Sequence, residues 1–306
     1  MALNDFISVK KGSKIGNIID RLHVEDQNPN SKATEHFLKT ASKIHRELNA
    51  PCTLFICGRT LENNVDAFKK IKAEYSDWFD LQQHTYSHVL LKTVFQENEH
   101  GKTMFRGGTL EQIREEVRKP IQLLKENLDV DCIGLTGPYC YYRGLSDRPD
   151  ILEILHEFGI KFVRMYARNE HDWQPVSFEV QPYWYDVQGF GDILECPVQG
   201  WQDCILREEI GWSNHDGYLK ELKKNLDYIA EHDLVWGYAQ HDWSSIREDL
   251  DMSITRGMIK YAQSIGVKIK SYLQFYKEKI EFAILVPPSN GRTDHVPPCN
   301  GRTEKV

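Results

Sequence analysis

The alternation of short apolar runs with amphipathic stretches predicts an α/β protein whose mainly parallel sheet curls into a barrel. Three observations carry that expectation. Apolar runs recur along the chain with helix-like patterns of roughly ten to twenty residues between them, as parallel strands joined by crossover helices require. Roughly six to eight such units lie in one chain of 306 residues, which favours a closed or nearly closed sheet over an open one. The polar residues with chemical capacity fall directly after the apolar runs, at the strand ends where parallel barrels keep their chemistry.

Taken in order, IIDRLHV (18–24) reads as the first strand and 31–48 as an amphipathic helix opened by a serine cap. CTLFIC (52–57) is a buried strand, 60–75 a helix, and FDLQQH (79–84) the next strand. Thr109 and Gln112 have the spacing of a capping box at the head of a helix that runs to about Asn127 with Pro120 inside it. DCIGLT (131–136), KFVRMYA (161–167), ILECPV (193–198) and LVWGYA (234–239) are further strands, with helices over 149–158, 217–231, 247–264 and 271–280. The tail departs from this rhythm: 286–295 and 296–305 are near-copies of one Pro- and Asn-Gly-containing unit without apolar periodicity. We therefore expect a catalytic barrel over 1–280 and an extended, disordered tail over 281–306.

Composition excludes several classes. A formal net charge of -7 opposes the phosphate-neutralising surface that nucleic acids need. No apolar run approaches the length of a transmembrane helix, and the opening MALNDFISVKKGSKIGN lacks the apolar core of a secretory signal. Cytoplasmic residence is the expectation. The seven cysteines are odd in number and lack tight paired spacing, so free thiols are expected rather than a disulfide framework or zinc knuckle.

The strongest local signal is Gln83-His84-Thr85-Tyr86-Ser87-His88, directly after the strand FDLQQH. Two histidines four apart on a helical turn point to one side and can share a cation. A catalytic metal also needs a third, preferably anionic ligand and an open position. Glu25 and Asp26, after the first strand, supply two carboxylates at the same end of the sheet.

These residues make the chain similar to the polysaccharide deacetylase family, the NodB-homology domain of carbohydrate esterase family four. The family's Thr-Phe-Asp-Asp-Gly-Pro stands against His23-Val24-Glu25-Asp26-Gln27-Asn28-Pro29, its Ala-Thr-Phe-Phe-Val-Thr-Gly strand and turn against Cys52–Gly58, and its His-Ser/Thr-x-x-His against His84–His88. The resemblance implies a distorted (β/α)7-type barrel and a divalent metal, zinc first, held by Asp26, His84 and His88, with Glu25 at the place of the general base. A second register is open, in which acids one residue apart make Glu25 the ligand and His23 the base. The family's Arg-x-Pro-Tyr appears as Thr136-Gly137-Pro138-Tyr139. Tyr139 keeps the backbone N–H that would stabilise an oxyanion, but Thr136 replaces the arginine, for which Arg143 and Arg164 are candidate substitutes. His241, in QHDW after LVWGYA, is the implied general acid, and Asp203 or Asp172 is the candidate partner for a histidine. His171, in a second His-Asp-Trp triplet, ranks as a substrate-loop residue. Tyr139, Tyr141, Tyr142, Trp173, Trp184, Trp201 and Trp243 are candidate sugar-stacking faces.

The implied activity is metal-dependent hydrolysis of a carbon–nitrogen amide bond, foremost removal of an N-acetyl group from an amino sugar. A ureide or cyclic-imide hydrolase of the same fold and a non-catalytic carbohydrate-binding relative are the competing readings.

Overall fold

The computed structural model describes residues 16–98 and 101–285; the repeat at 286–305 and Cys299 lie outside them. The predicted first strand is two short ones, β1 (Asn17–Ile19) and β2 (Arg21–Val24), followed by α1 (Ala33–Glu47), β3 (Cys52–Ile56), α2 (Gly58–Asn63), α3 (Val65–Tyr75) and β4 (Phe79–Gln83). An unanticipated hairpin, β5 (Val94–Asn98) and β6 (Gly101–Phe105), precedes α4 (Leu110–Leu128), β7 (Gly134–Tyr142), α5 (Pro149–Glu157), β8 (Phe162–Arg168), β9 (Tyr183–Tyr185) and β10 (Phe190–Glu195). The chain continues through α6 (Asp203–Ile210), α7 (His215–His232), β11 (Val235–Gly237), β12 (Gln240–His241), α8 (Asp242–Ile246), α9 (Ser253–Ser264), β13 (Lys268–Lys270) and α10 (Tyr272–Leu285).

Local chemistry explains the best-defined starts. The Thr109 hydroxyl accepts from Gln112 N–H at 3.2 Å, and Gln112 Oε1 accepts from Thr109 N–H at 2.9 Å, so the capping box forms and α4 begins there. Helix α1 turns Phe37, Leu38, Ala41 and Ile44 inward, a spacing of one helical face.

One ladder runs β12-β2-β3-β4-β7-β8-β10-β9 and a second β11-β1-β13. Every neighbouring pair in them is parallel except β9 with β10. Asp20 is the hinge between the two: its N–H donates to the Lys270 carbonyl and its own carbonyl accepts from Thr53 N–H, so the strand leaves β13 and takes up β3. The sheet is α/β and mainly parallel, as expected, but the ladder does not close. Among the described residues no strand pairing joins β10 to β11 or β12. Side-chain amides fill that seam instead. Gln199 Oε1 accepts from Gly237 N–H at 2.8 Å, and Gln181 exchanges two bonds with the Val235 backbone. Gly237 is required there, since a Cβ would lie 2.0 Å from the Pro197 carbonyl oxygen.

Side-chain alternation along the strands sets what faces where. Leu22, Val24, Leu54 and Ile56 pack outward against the helices with Phe37, Leu38 and Ile44. Phe55 instead joins Ile19, Phe162, Leu194 and Tyr272 in a separate cluster on the other face, and His23 is its register partner in β2. No helix among the described residues is long and apolar enough to cross a membrane.

One buried acid on this inner framework gives a pH prediction. Glu195, at the end of β10, accepts from the N–H groups of Met165 and Tyr166 and bonds the Tyr185 hydroxyl. Burial pushes its carboxyl up to about 7 against those bonds. The folded protein therefore holds a proton that the unfolded chain has released, and stability falls as pH rises from the ordinary carboxylate range through about 7. Glu195→Gln keeps an acceptor for both N–H groups and removes the titration. It is expected to gain on the order of 1–3 kcal/mol over wild type at pH 8 relative to pH 5, read by urea unfolding at the two pH values. Equal gains at both would refute the assignment.

Candidate active site

A cavity of about 330 Å³ opens at the C-terminal ends of the parallel strands. β2 supplies His23 and, one residue past its end, Glu25; the turn after β4 supplies His84 and His88; β7 supplies Tyr139; β8 supplies Arg164 and Arg168; β12 supplies His241, followed by Trp243.

The segment His84–His88 is not the helical turn that the spacing suggested. It is an irregular bend in which Thr85 (φ 59°) and His88 (φ 65°) take left-handed backbone conformations. Those two residues fold the chain back so that both imidazoles converge on one atom. His84 Nε2 and His88 Nε2 each stand 3.2 Å from Glu25 Oε2. The other Glu25 oxygen accepts from Trp243 Nε1–H at 2.9 Å. Burial would raise the Glu25 carboxyl, but the field of His241 and the closeness of the His84 and His88 imidazoles outweigh it and hold the group well below its ordinary value.

The tautomer of His84 gives this group the donor chemistry that could hold a cation. His84 Nδ1 lies 2.8 Å from the Thr136 carbonyl, which only accepts, so Nδ1 carries the hydrogen. Burial pushes the imidazole down to about 4, so it is neutral at neutral pH. Its Nε2 then turns a lone pair towards an ionised carboxylate. Two acceptors at that distance need a proton or a cation between them. Glu25, His84 and His88 offer the nitrogen and oxygen donors that suit zinc and related divalent ions, and the bond from Nδ1 to a carbonyl is the usual brace of a metal-ligating histidine. His23 stands beside them: one ligand atom from each of His23, Glu25 and His84 lies within 4.8 Å of the others, with the His23 and His84 rings 4.4 Å apart.

Asp26, expected to share the ion with the histidines, is not brought to them. It is absent from the cavity wall. Its Oδ1 accepts from Asn28 N–H at 3.0 Å and its own N–H donates to Asp242 Oδ2 at 3.3 Å. Side-chain alternation accounts for this, because His23 and Glu25 are two residues apart and share the inner face, while Asp26 falls on the other.

Across the cavity, His241 Nδ1 is 2.6 Å from Asp203 Oδ1, and its backbone N–H donates to Asp203 Oδ2 at 2.9 Å. Ser244 also donates to that carboxylate. Asp203 is fully buried; burial would raise it, yet His241 and these bonds keep its carboxyl below the usual range. A carboxylate on Nδ1 fixes the tautomer and leaves His241 Nε2 for the cavity. Asp172, the other acid considered, binds Phe95 N–H instead. His171 is 80% exposed and lies outside the cavity wall, where Trp173 stands.

Tyr139 (φ 61°) and Cys140 (φ 53°) are consecutive left-handed residues where the β7–β8 register breaks between Thr136 and Tyr141. Such strain persists where the surroundings enforce it; here Arg168 Nε donates to both carbonyls. Arg164 is buried and donates from Nη1 to the Thr136 hydroxyl at 2.8 Å, whereas Arg143 is exposed. Of the aromatic candidates, Tyr139, Trp173 and Trp243 border the cavity; Tyr141 is core, and Trp201 lines a different cavity. The sequence reading missed Arg168, Gln96, Gln202 and Cys204 at the wall. Arg168, at the end of a predicted strand, had a readable position.

The polysaccharide deacetylase family model matches residues 26–163. No curated protein matches the sequence. Among solved structures, one from Mycobacterium smegmatis described as a polysaccharide deacetylase is similar at a TM-score of 0.63 and 15% identity, covering 94% of this chain and 98% of its own. Puue allantoinase gives 0.62 and 13%, covering 94% and 100%. A carbohydrate esterase family four pseudoenzyme from Bacillus anthracis gives 0.52 and 11%, covering 86% and 66%; a mutant of it is described as having restored enzymatic activity. At these identities the likeness speaks for the fold.

Proposed function

We propose, from the premise that this chain belongs through residues 26–163 to the polysaccharide deacetylase family, that it is a metal-dependent hydrolase of an amide bond, removing the N-acetyl group of an amino sugar. Residues 1–280 form the catalytic unit, in the manner of a distorted (β/α)7-type barrel. The observation that carries the reading is the pair of imidazole nitrogens converging on Glu25 Oε2, across a cavity from a histidine backed by Asp203.

Glu25, His84 and His88 would hold the ion, zinc in the first instance. When bound, such an ion supplies a polarised carbonyl and a water acidified to about neutral pH. His23, beside the ligands, takes the proton of the attacking water. Tyr139, in its strained turn, offers a backbone N–H to the developing oxyanion. His241, with Nδ1 held by Asp203, delivers a proton from Nε2 to the leaving nitrogen. Atoms and charge balance as water plus amide to carboxylate plus protonated amine, the second proton of the water ending on the amine. The cavity of about 330 Å³ favours a short or nucleotide-linked sugar over a finished wall polymer.

The test is acetate and free-amine release from soluble N-acetylated hexosamines, with allantoin in parallel. Equimolar acetate and amine, abolished by a chelator and restored by zinc, is the expected result. Consumption of the ureide alone would move the protein to the other hydrolase class. Sugar binding without acetate under any metal would make it a binding protein, as the loss of an arginine at Thr136 permits.

A further inference from the structure

A second set of metal-type donors lies away from the cavity, under α1. Asp20 sits at the break between β1 and β2, His45 on α1 and Cys52 at the start of β3. One ligand atom from each lies within 4.8 Å of the others, and all three residues are completely buried. Their sequence neighbours Ile18, Ile19, Ala41, Ile44, Ala50 and Leu54 are core, so the surroundings are apolar.

His45 has the same orientation logic as His84. Its Nδ1 lies 2.8 Å from the Ala50 carbonyl, which obliges Nδ1 to carry the hydrogen. Burial pushes the imidazole down to about 4, so it is neutral. Nε2 is then a lone-pair donor, fully buried and without a hydrogen-bond partner. An unsatisfied buried nitrogen is costly and uncommon. This one belongs to a group whose other members are a carboxylate and a sulfur, and bonds of about 2.0–2.3 Å from a shared centre would bring three such donors together.

We propose that Asp20, His45 and Cys52 bind a second divalent cation of borderline softness, zinc or a close relative, as a structural site that fastens α1 to the β1–β3 region. Charge favours the assignment. On binding, the Cys52 thiol gives up its proton to solvent, and a doubly positive ion with one thiolate, one carboxylate and one neutral imidazole is neutral overall, as an apolar interior demands. Because the site has no exposure, it fills as the chain folds. The proposal is independent of the amide-hydrolase reading.

The full-length protein is produced in cobalt-supplemented medium, and its metal content and near-ultraviolet spectrum are recorded. A thiolate ligand gives cobalt a sulfur-to-metal charge-transfer band that nitrogen and oxygen ligands do not. We expect the His84→Ala/His88→Ala double variant, which leaves the buried group untouched, to retain about one cobalt per chain together with that band. Cys52→Ala is expected to lose the band, while Cys140→Ala and Cys204→Ala, at the cavity wall, keep it. His45→Gln, whose amide can still donate to the Ala50 carbonyl, is expected to lose the bound equivalent as well. A double variant that holds no cobalt, or a band that survives Cys52→Ala, overturns the site. So does a wild-type protein without the band, and that outcome stands even if a buried variant fails to fold.

Discussion

Glu25→Ala is expected to strip the cation from the cavity and bring amide hydrolysis to background, whereas Asp26→Asn is expected to keep both. The two carboxylates are adjacent, and their order in the sequence admits either as the ligand. The structure separates them. Glu25 Oε2 is 3.2 Å from both His84 Nε2 and His88 Nε2, and Asp26 is turned away into a local turn with Asn28. Removing Glu25 leaves imidazoles as the partners of a dication, with no anion among the ligands to offset its charge. The several kcal/mol that a bound ion contributes to transition-state charge then goes with it, a loss of about three powers of ten or more in kcat/KM. Asparagine at 26 can still accept the Asn28 N–H through its side-chain oxygen, so metal content and rate should stay within about threefold, the scale of an exposed polar change. Metal per chain and kcat/KM on the same preparations decide the matter. Full metal in Glu25→Ala with loss in Asp26→Asn would restore the register in which Asp26 is the ligand.

Strand alternation bears on the choice between the two carboxylates. A strand with period two puts His23 and Glu25 on one face and Val24 and Asp26 on the other, and Val24 is an outward core residue. The second register open in the sequence, with Glu25 as the ligand and His23 as the base, is the one that fits this alternation. The histidine pair shows the converse. Its membership in the site followed from its place after a strand, but the spacing of four suggested a helix, and the real geometry comes from left-handed Thr85 and His88. Thr85 is β-branched and disfavours that region, and the modest left-handed preference of a histidine is too weak to announce the bend. The open seam is a third case. Gln199 and Gln181 bridge strands that sequence patterning treats as neighbours, and side-chain amides standing in for a ladder carry no periodic signal. Asp203 lay between these extremes. The sequence offered it as one of two acids for a histidine, but only the approach of α6 to β12 selects it over Asp172.

Asp203→Asn is expected to lower kcat by about 10²–10⁴ while leaving the metal in place and KM within a few-fold. The carboxylate accepts from His241 at both its ring and backbone nitrogens and from Ser244. It is fully buried, so no water takes over when it changes. An amide offers one acceptor where the carboxylate offered two, and its NH₂ facing Nδ1 would favour the tautomer with the hydrogen on Nε2 in neutral histidine. That form cannot be regenerated as an acid with a charge-stabilised imidazolium. His241→Ala removes the acid altogether and should fall as far, so the double variant should lose little more than either single one, the behaviour of residues acting as a unit. The substitution also carries a pH signature. Asp203 has its carboxyl held below the ordinary value, so its pairing stabilises the fold above the unfolded carboxylate pKa and is lost as pH falls through the lower, folded one. Asp203→Asn should therefore flatten the acid limb of the stability profile, whereas His241→Ala leaves the buried carboxylate uncompensated and should lower stability at neutral pH. If both variants keep the wild-type kcat while metal binding and fold are intact, the leaving nitrogen takes its proton from elsewhere in the cavity, and the Asp203–His241 pair is a structural tie between α6 and β12.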